Sequence, residues 1–174
     1  MRNSIPLLCS RRWLSLPGRW RALADDAGNA LVELAIVMSL LGIPLLTGTI
    51  YFGQLLLDSI VITNAAHTGA EYGMVSSTFA ENNTAIIAAT KEDATGLGAT
   101  LSVTPTMYYA CSTAIGGTTY STQSAANTAC TGGTNHPLQF IQVTASATVT
   151  PAYAFPGLSK TVTLSSTSVQ EVEE

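Results

Sequence analysis

A single acidic residue stands near the start of an apolar run in DDAGNALVELAIVMSLLGIPLL, residues Asp25 to Leu46. After Glu33, the 24 residues from Leu34 to Leu57 contain no Lys, Arg, Asp, Glu or His. At about 1.5 Å per residue, a helix of this length crosses a hydrocarbon core of about 30 Å with some tilt. The run therefore predicts a membrane-spanning helix. The alternative is a core helix of a soluble protein, which the rest of the chain has little apolar surface to bury.

The net charge of −4 is distributed very unevenly along the 174 residues. Five of the seven basic residues lie in the first 21 positions, before the apolar run, and the next one is Lys91. Because the cytoplasmic flank of a membrane helix carries the excess of Lys and Arg, we expect a cytoplasmic N-terminus and a periplasmic C-terminal domain. The acidic balance argues against nucleic acid as a partner, since nucleic-acid binding needs a basic patch with aromatic residues.

Residues 1–28 do not read as an ordinary signal peptide. The small-residue motif Ala22-Leu23-Ala24 has no apolar segment before it. Arg11 and Arg12 are typical of a twin-arginine signal, but the apolar run that should follow them begins too late. The segment before Cys9 is short for a lipoprotein signal. What remains is a polar, basic leader that would be cleaved after Gly28, so that the apolar run follows the cleavage site instead of preceding it.

This arrangement, with the hexamer Gly28-Asn29-Ala30-Leu31-Val32-Glu33, resembles the processing site of type IV prepilin-like proteins. Residues 51–77, YFGQLLLDSIVITNAAHTGAEYGMVSS, resemble the TadE-like pseudopilins of the tight adherence (Tad/Flp) pilus system, through Asn64-Ala65-Ala66, Gly69-Ala70 and Tyr72. The resemblance implies that a prepilin peptidase cleaves after Gly28 and leaves Asn29 as the new N-terminus, with Glu33 at the fifth mature position. It also implies that other pilins or pseudopilins and the pilus assembly platform are partners.

Glu33 is the residue that a membrane span explains least, because a carboxylate in hydrocarbon costs about 2.5 kcal/mol or more. After cleavage the α-amino group of Asn29 lies four residues earlier, on the same helix face. The first turn of a helix also favours negative charge. The resemblance implies a second partner, the N-terminal amine of a neighbouring subunit. The alternative is a glutamate that lies at headgroup depth and is hydrated.

Residues 29–77 are predicted to form one long helix, embedded in membrane lipid first and periplasmic later. Pro44 should bend it, either as a feature of the assembled bundle or as a tolerated kink. Ala65, Gly69 and Gly73 recur at four-residue spacing, a stripe that lets another helix approach closely. We assign the stripe, Glu33 and Pro44 to subunit assembly. His67 is interpreted as a solvated polar residue rather than a metal ligand.

Residues 78–174 are predicted to form the exported part of an α+β, pilin-like fold. A short helix is expected over residues 79–95, with Asn82-Asn83-Thr84 as a loop or helix cap rather than a glycosylation site. Period-two alternation then predicts about three antiparallel strands, with one apolar face packed under the long helix. The predicted strands cover residues 99–109, 138–151 and 160–172, and the prolines and glycine of residues 151–157 predict a turn.

Residues 111–137 form a Ser-, Thr- and Gly-rich segment without periodicity. Cys111 and Cys130 are the only cysteines left after leader removal, and in an oxidising periplasm they should form a disulfide. Free thiols are one alternative, and a metal site with His136 is another. No metal or other cofactor is expected.

Catalytic motifs are missing from the sequence: it has no nucleophile elbow, phosphate-binding glycine loop or zinc motif. The leading hypothesis is a minor, TadE-like pseudopilin that crosses the bacterial inner membrane once and acts in assembly of an adhesive pilus, either in the membrane or within the pilus. The alternative is a membrane-anchored periplasmic binding or adhesion domain that never enters a fibre. An exported enzyme is the third hypothesis.

Overall fold

The computed structural model describes residues 19–153, 155 and 157–173, with side chains from residue 28 onwards. The export signals considered around Cys9, Arg11 and Arg12 lie outside the described residues. The chain divides into an N-terminal unit, Met1–Leu45, and a C-terminal unit, Leu46–Glu174.

Helix α1 covers Arg19–Val37, a π-helical turn follows over Met38–Gly42, and helix α2 covers Ile43–Met74. The long helix predicted over residues 29–77 is therefore present, but it ends at Met74 and its hydrogen-bond pattern changes once. The wide turn stands directly before Pro44, which has no amide hydrogen to donate to the carbonyl four residues earlier and whose ring clashes with that carbonyl. Within the described residues, α1 already includes residues 19–28 of the predicted leader.

The short helix predicted over residues 79–95 is divided into α3, Ser77–Glu81, and α4, Asn83–Asp93. Asn82 separates them with a non-helical backbone (φ −85°, ψ 72°). Its Oδ1 accepts a hydrogen bond from the Ala85 amide at 3.1 Å. The cap that was predicted at this tripeptide is thus confirmed, and it begins the second helix rather than lying inside one helix.

The sheet has four antiparallel strands in the order β2-β1-β3-β4. Strand β1 covers Leu101–Cys111, β2 Thr119–Tyr120, β3 Pro137–Val149 and β4 Val162–Glu171. The three long strands agree with the prediction to within about two residues at most ends. The Ser-, Thr- and Gly-rich segment of residues 111–137, which shows no periodicity in the sequence, contains β2 and a fifth helix, α5 (Gln123–Ala129).

One face of the sheet is covered by the C-terminal half of α2 and by α4. Alternation in β3 turns Ile141, Val143 and Ala145 inward, where each is fully buried. The other face is lined by hydroxyl groups from adjacent strands, and Thr144 and Thr167 are joined there by an Oγ1–Oγ1 hydrogen bond of 3.0 Å. This confirms the predicted α+β class, in which a long apolar helix packs on a small antiparallel sheet whose other face is exposed to solvent.

Candidate functional site

The residues predicted for peptidase processing, Gly28, Asn29 and Glu33, lie on helix α1. All three are exposed to solvent in the described chain. A Cβ atom built on Gly28 would meet no other atom within 4 Å outside its own helix backbone. The Gly28–Asn29 peptide bond is therefore accessible from the side, although it lies within a regular helix.

Glu33 has no cationic partner among the residues whose side chains are described. The ion pair found in that part of the chain joins His67 Nε2 to Glu71 Oε1 at 3.4 Å. The neighbours of Glu33 are large and apolar instead: Leu31 is 68% exposed, Val32 59% and Leu34 53%. A carboxylate is thus placed in an apolar helix surface without any charge compensation from the described side chains.

Large exposed apolar side chains continue along the helix from Leu31 to Ile60. Between Gly28 and Met74, the helix contains a window of 18 residues that is apolar enough to cross a membrane, and none of that window is buried. It is the only such helix in the described residues. A core helix of a soluble protein would be mostly buried, so this exposure disfavours the soluble alternative and suggests single-pass membrane anchoring.

The small-residue stripe of α2 faces the core of this chain. Ala65 is fully buried, and both glycines of the stripe face the chain's own core. A Cβ on Gly69 would overlap Thr90 Oγ1 of α4 and come within 3.2 Å of Val143 Cγ1, and one on Gly73 would lie 3.0 Å from Ile141 Cγ1. Ala65, Gly69 and Gly73 therefore permit close packing within this chain, whereas their assignment to subunit assembly stays a prediction. The reason is that a small-residue stripe specifies close approach but not which element approaches.

His67 lies on α2 beside strand β4. Its Nδ1 is 3.4 Å from both Ser168 Oγ and Gln170 Nε2, and its side chain is 54% exposed. Among the described residues, no group of three or more His, Cys, Asp or Glu side chains could hold a metal ion. The position agrees with the interpretation of His67 as a solvated polar residue that contacts the edge of the sheet.

Cys111 and Cys130 are joined by a disulfide, with their Cα atoms 5.3 Å apart. The bond ties the end of β1 to the residue that follows α5, across a sequence separation of 19. Ala126 of α5 is fully buried in one cluster with Cys111 and Cys130, and the partly buried Tyr109 and Tyr120 pack against this cluster. This small second core explains why the Ser/Thr-rich segment becomes ordered without apolar periodicity of its own.

The connection between β3 and β4 contacts α2, and the sequence analysis read it only as a turn. Tyr51 Oη donates a hydrogen bond to Ser159 O at 3.0 Å, and Gln54 Oε1 accepts one from the Ala152 amide at 2.9 Å. Tyr51 is only 2% exposed as a result. The signal that could have indicated this contact is the polar pair Tyr51 and Gln54, which stands within an otherwise apolar run.

Residues 28–71 match the family model described as TadE-like protein. This helical segment is TadE-like. The predicted resemblance is thereby confirmed for the segment that begins at Gly28. The strands of the sheet lie outside the matched residues. A comparison with curated protein sequences finds no match, and neither does a comparison with solved structures.

Proposed function

We propose that this protein is a minor pseudopilin that is cleaved after Gly28 and acts in assembly of an adhesive Tad/Flp-type pilus. The observation that carries the proposal is the coincidence of three features on one helix. The TadE-like match begins at Gly28. The helix that follows exposes a continuous apolar surface. The acidic residue at its start, Glu33, has no cation beside it in the described chain.

Processing at Gly28 requires the peptidase to open helix α1 locally, because the peptide bond to be cut has helical geometry. A glycine in a helix is less stable than alanine by about 1 kcal/mol, and it leaves the backbone accessible from the side. Gly28, the only glycine of α1, is therefore the position of lowest helix propensity in this helix and has open space beside its Cα atom. Residues 1–28 are then the leader, and residues 29–77 the mature N-terminal helix.

Cleavage supplies the charge that Glu33 lacks. The new α-amino group of Asn29 is one helical turn before Glu33, at the i, i+4 spacing that favours ion pairing. In a bundle of such helices, the amine of a neighbouring subunit offers a second partner, and in hydrocarbon both charges are costly until they meet. Glu33 then favours assembly and fixes its register, whereas Pro44 and the π-helical turn give this part of the helix a bend for packing in the bundle.

The topology follows from the arginines before the apolar run, which hold the N-terminus in the cytoplasm and place the sheet domain, residues 78–174, in the periplasm. The disulfide between Cys111 and Cys130 agrees with that compartment, since disulfides persist in oxidising environments. The protein acts structurally rather than as an enzyme, with the prepilin peptidase, other pilins or pseudopilins, the assembly platform and membrane lipid as partners.

The processing step is tested by Gly28→Ala, with Gly53→Ala as the matched control. Neither added methyl group meets any atom within 4 Å outside its own helix, so both changes act on the helix alone. Mass spectrometry of the membrane fraction should show a chain beginning at Asn29 in the wild type and the control, and the uncleaved chain in Gly28→Ala. A wild-type chain that retains residues 1–28 would overturn the proposal in favour of a plain membrane anchor.

The assembly step is tested by Glu33→Gln, which keeps the size of the side chain and removes the charge. We expect normal cleavage but few or no pili by electron microscopy, because the neutral amide no longer pairs with the N-terminal amine. Glu81→Gln, at an exposed position of α3, should leave piliation unchanged. Normal piliation with Glu33→Gln would contradict the assembly role, and normal piliation after deletion of the whole gene would favour the binding or adhesion domain outside the fibre.

A further inference from the structure

In the loop that connects β3 and β4, the described residues 151–153, 155 and 157–160 include several that contact the N-terminal part of α2. Two hydrogen bonds fix it there, from Tyr51 Oη to Ser159 O and from the Ala152 amide to Gln54 Oε1. Gly48 leaves room for an aromatic ring of the same loop, since a Cβ at this position would lie 3.2 Å from Phe155 Cε2. We name this segment the β3–β4 loop.

The contacts of the β3–β4 loop fall inside the apolar run and not beyond it. Gly48, Tyr51 and Gln54 all precede Asp58, the first charged residue after the run. A hydrocarbon core of about 30 Å takes about 20 helical residues. Counted along the chain from Glu33, such a span ends near residue 53. The loop therefore contacts the part of the helix that lies at the periplasmic boundary of the bilayer.

The side chains that the loop exposes suit that boundary. Tyr153 is 57% exposed and Leu158 43% exposed. On the adjacent helix surface Phe52 is 55% exposed, so apolar surface of the loop and of α2 is available at the same level. No charged residue occurs between Pro151 and Ser159, and Lys160 follows directly. Tyrosine is enriched at membrane interfaces, and a lysine there keeps its ammonium group among the headgroups.

We propose that the β3–β4 loop inserts Tyr153 and Leu158 into the interfacial region of the bilayer that the helix crosses. The proposal rests on the membrane anchoring in the proposed function and adds a second lipid contact to it. The occupant of the exposed apolar surface is lipid and not another protein, because this surface is continuous with the lipid-facing surface of the helix. The sheet domain then contacts the membrane at two points, the helix and this loop.

Tryptophan fluorescence of the full chain in phosphatidylcholine vesicles with brominated acyl chains tests this proposal. In a background of Trp13→Phe and Trp20→Phe, one tryptophan is introduced at a time. Tyr153→Trp reports on the loop, and Leu158→Trp repeats the measurement at a second loop position in case the first variant misfolds. Leu41→Trp reports on the apolar helix. Ile115→Trp is the matched control, because Ile115 is a 65% exposed apolar residue in the connection between β1 and β2.

We expect bromine near the headgroups to quench the loop probes at least about twofold more than the Ile115→Trp probe, as for side chains at the boundary between headgroups and acyl chains. The Leu41→Trp probe should be quenched most by bromine deep in the bilayer. If Leu41→Trp is quenched and both loop probes are not, the loop proposal is overturned and the anchor stands. If Leu41→Trp is not quenched, the anchor itself is overturned. Equal quenching at the loop and at residue 115 also overturns the proposal.

Discussion

Two regions of the long helix differ in the size and the exposure of their apolar side chains. From Leu31 to Leu46 the apolar residues are large and more than half exposed at most positions, as at Leu40, which is 71% exposed. From Ala65 to Gly73 the residues that face the sheet are small, and Ala65, Ala66 and Ala70 are fully buried. Polar residues also distinguish these regions, because residues 62–73 include Asn64, His67 and Glu71 on the faces of α2 that are turned away from the core, whereas residues 34–57 carry no charged residue or histidine.

The difference lies in what each region packs against. In lipid there is no hydrophobic force that drives apolar side chains into the protein, so large side chains can face outward. Against a sheet in water, backbone approach determines how much apolar surface is removed from solvent, and small residues permit that approach. The exposure and the size of the side chains along the helix thus record the change of environment, and the change falls between Ile60, which is exposed, and Ala65, which is buried.

The strongest test of this comparison uses two isoleucines of α2. Ile62 is 1% exposed and Ile60 is 55% exposed. We expect Ile62→Ala to lower the free energy of unfolding of the sheet domain by about 2–5 kcal/mol, because it leaves a cavity in the core. Ile60→Ala should change it by less than about 0.5 kcal/mol. Guanidinium unfolding of the full chain in detergent micelles, followed by near-UV circular dichroism, measures both.

A similar effect of the two isoleucine variants would contradict the comparison, since it would mean that residue 60 is as well packed as residue 62. The midpoint of the transition is the quantity to compare, and an unchanged slope shows that the same surface is exposed on unfolding in both variants.

The next test adds one methyl group to a glycine on each side of the change, Gly53 before it and Gly69 after it. Gly69→Ala should lower the free energy of unfolding by about 1–3 kcal/mol, because the new Cβ overlaps Thr90 Oγ1. Gly53→Ala meets no atom within 4 Å outside its own helix, and it should raise stability by up to about 1 kcal/mol through helix propensity alone. The same titration measures both. Stabilisation by Gly69→Ala would show that α2 and α4 are not packed as closely as described.

The smallest change in stability is expected at Tyr51, where α2 contacts the β3–β4 loop. Tyr51→Phe removes the hydroxyl that donates to Ser159 O and should cost about 1 kcal/mol, since the side chain is only 2% exposed. Tyr153→Phe removes a hydroxyl from a residue that is 57% exposed, and thermal unfolding should not change. If Tyr51→Phe is equally neutral, the β3–β4 loop is not fastened to the helix at this point.

Much of the fold could be predicted because its long elements have clear periods. The charge-free run predicts the apolar helix, and the alternation in residues 138–149 predicts β3 and its buried face. Strand β2 and helix α5 could not be predicted in this way, because they carry few apolar residues. Two other features stabilise them. The Ala125 amide donates a hydrogen bond to Thr122 Oγ1 at the start of α5, and a disulfide joins Cys111 to Cys130. The first is a single-residue feature and the second is a tertiary one, so neither produces a periodic pattern.

The candidate site shows the same limit. The hexamer that ends in Glu33 is a local pattern, so its residues could be identified from sequence, whereas their processing and assembly roles stay predictions. The stripe of Ala65, Gly69 and Gly73 has a spacing that fits a partner in another subunit or in the same chain. Only the position of Thr90 and Ile141 beside the glycines distinguishes these cases. The sequence predicts that Pro44 disturbs the helix, but not that a π-helical turn precedes it.

The contact between Gly69 and Thr90 has a consequence for how this sequence can change over generations. Thr90 is fully buried and its hydroxyl donates to Ile86 O at 2.8 Å, so the side chain has little freedom to move away. A larger residue at position 69 becomes acceptable only after position 90 has lost its branched side chain, for example as Thr90→Ala. The two sites are therefore epistatic, and mutational drift should pass through the smaller residue on α4 first.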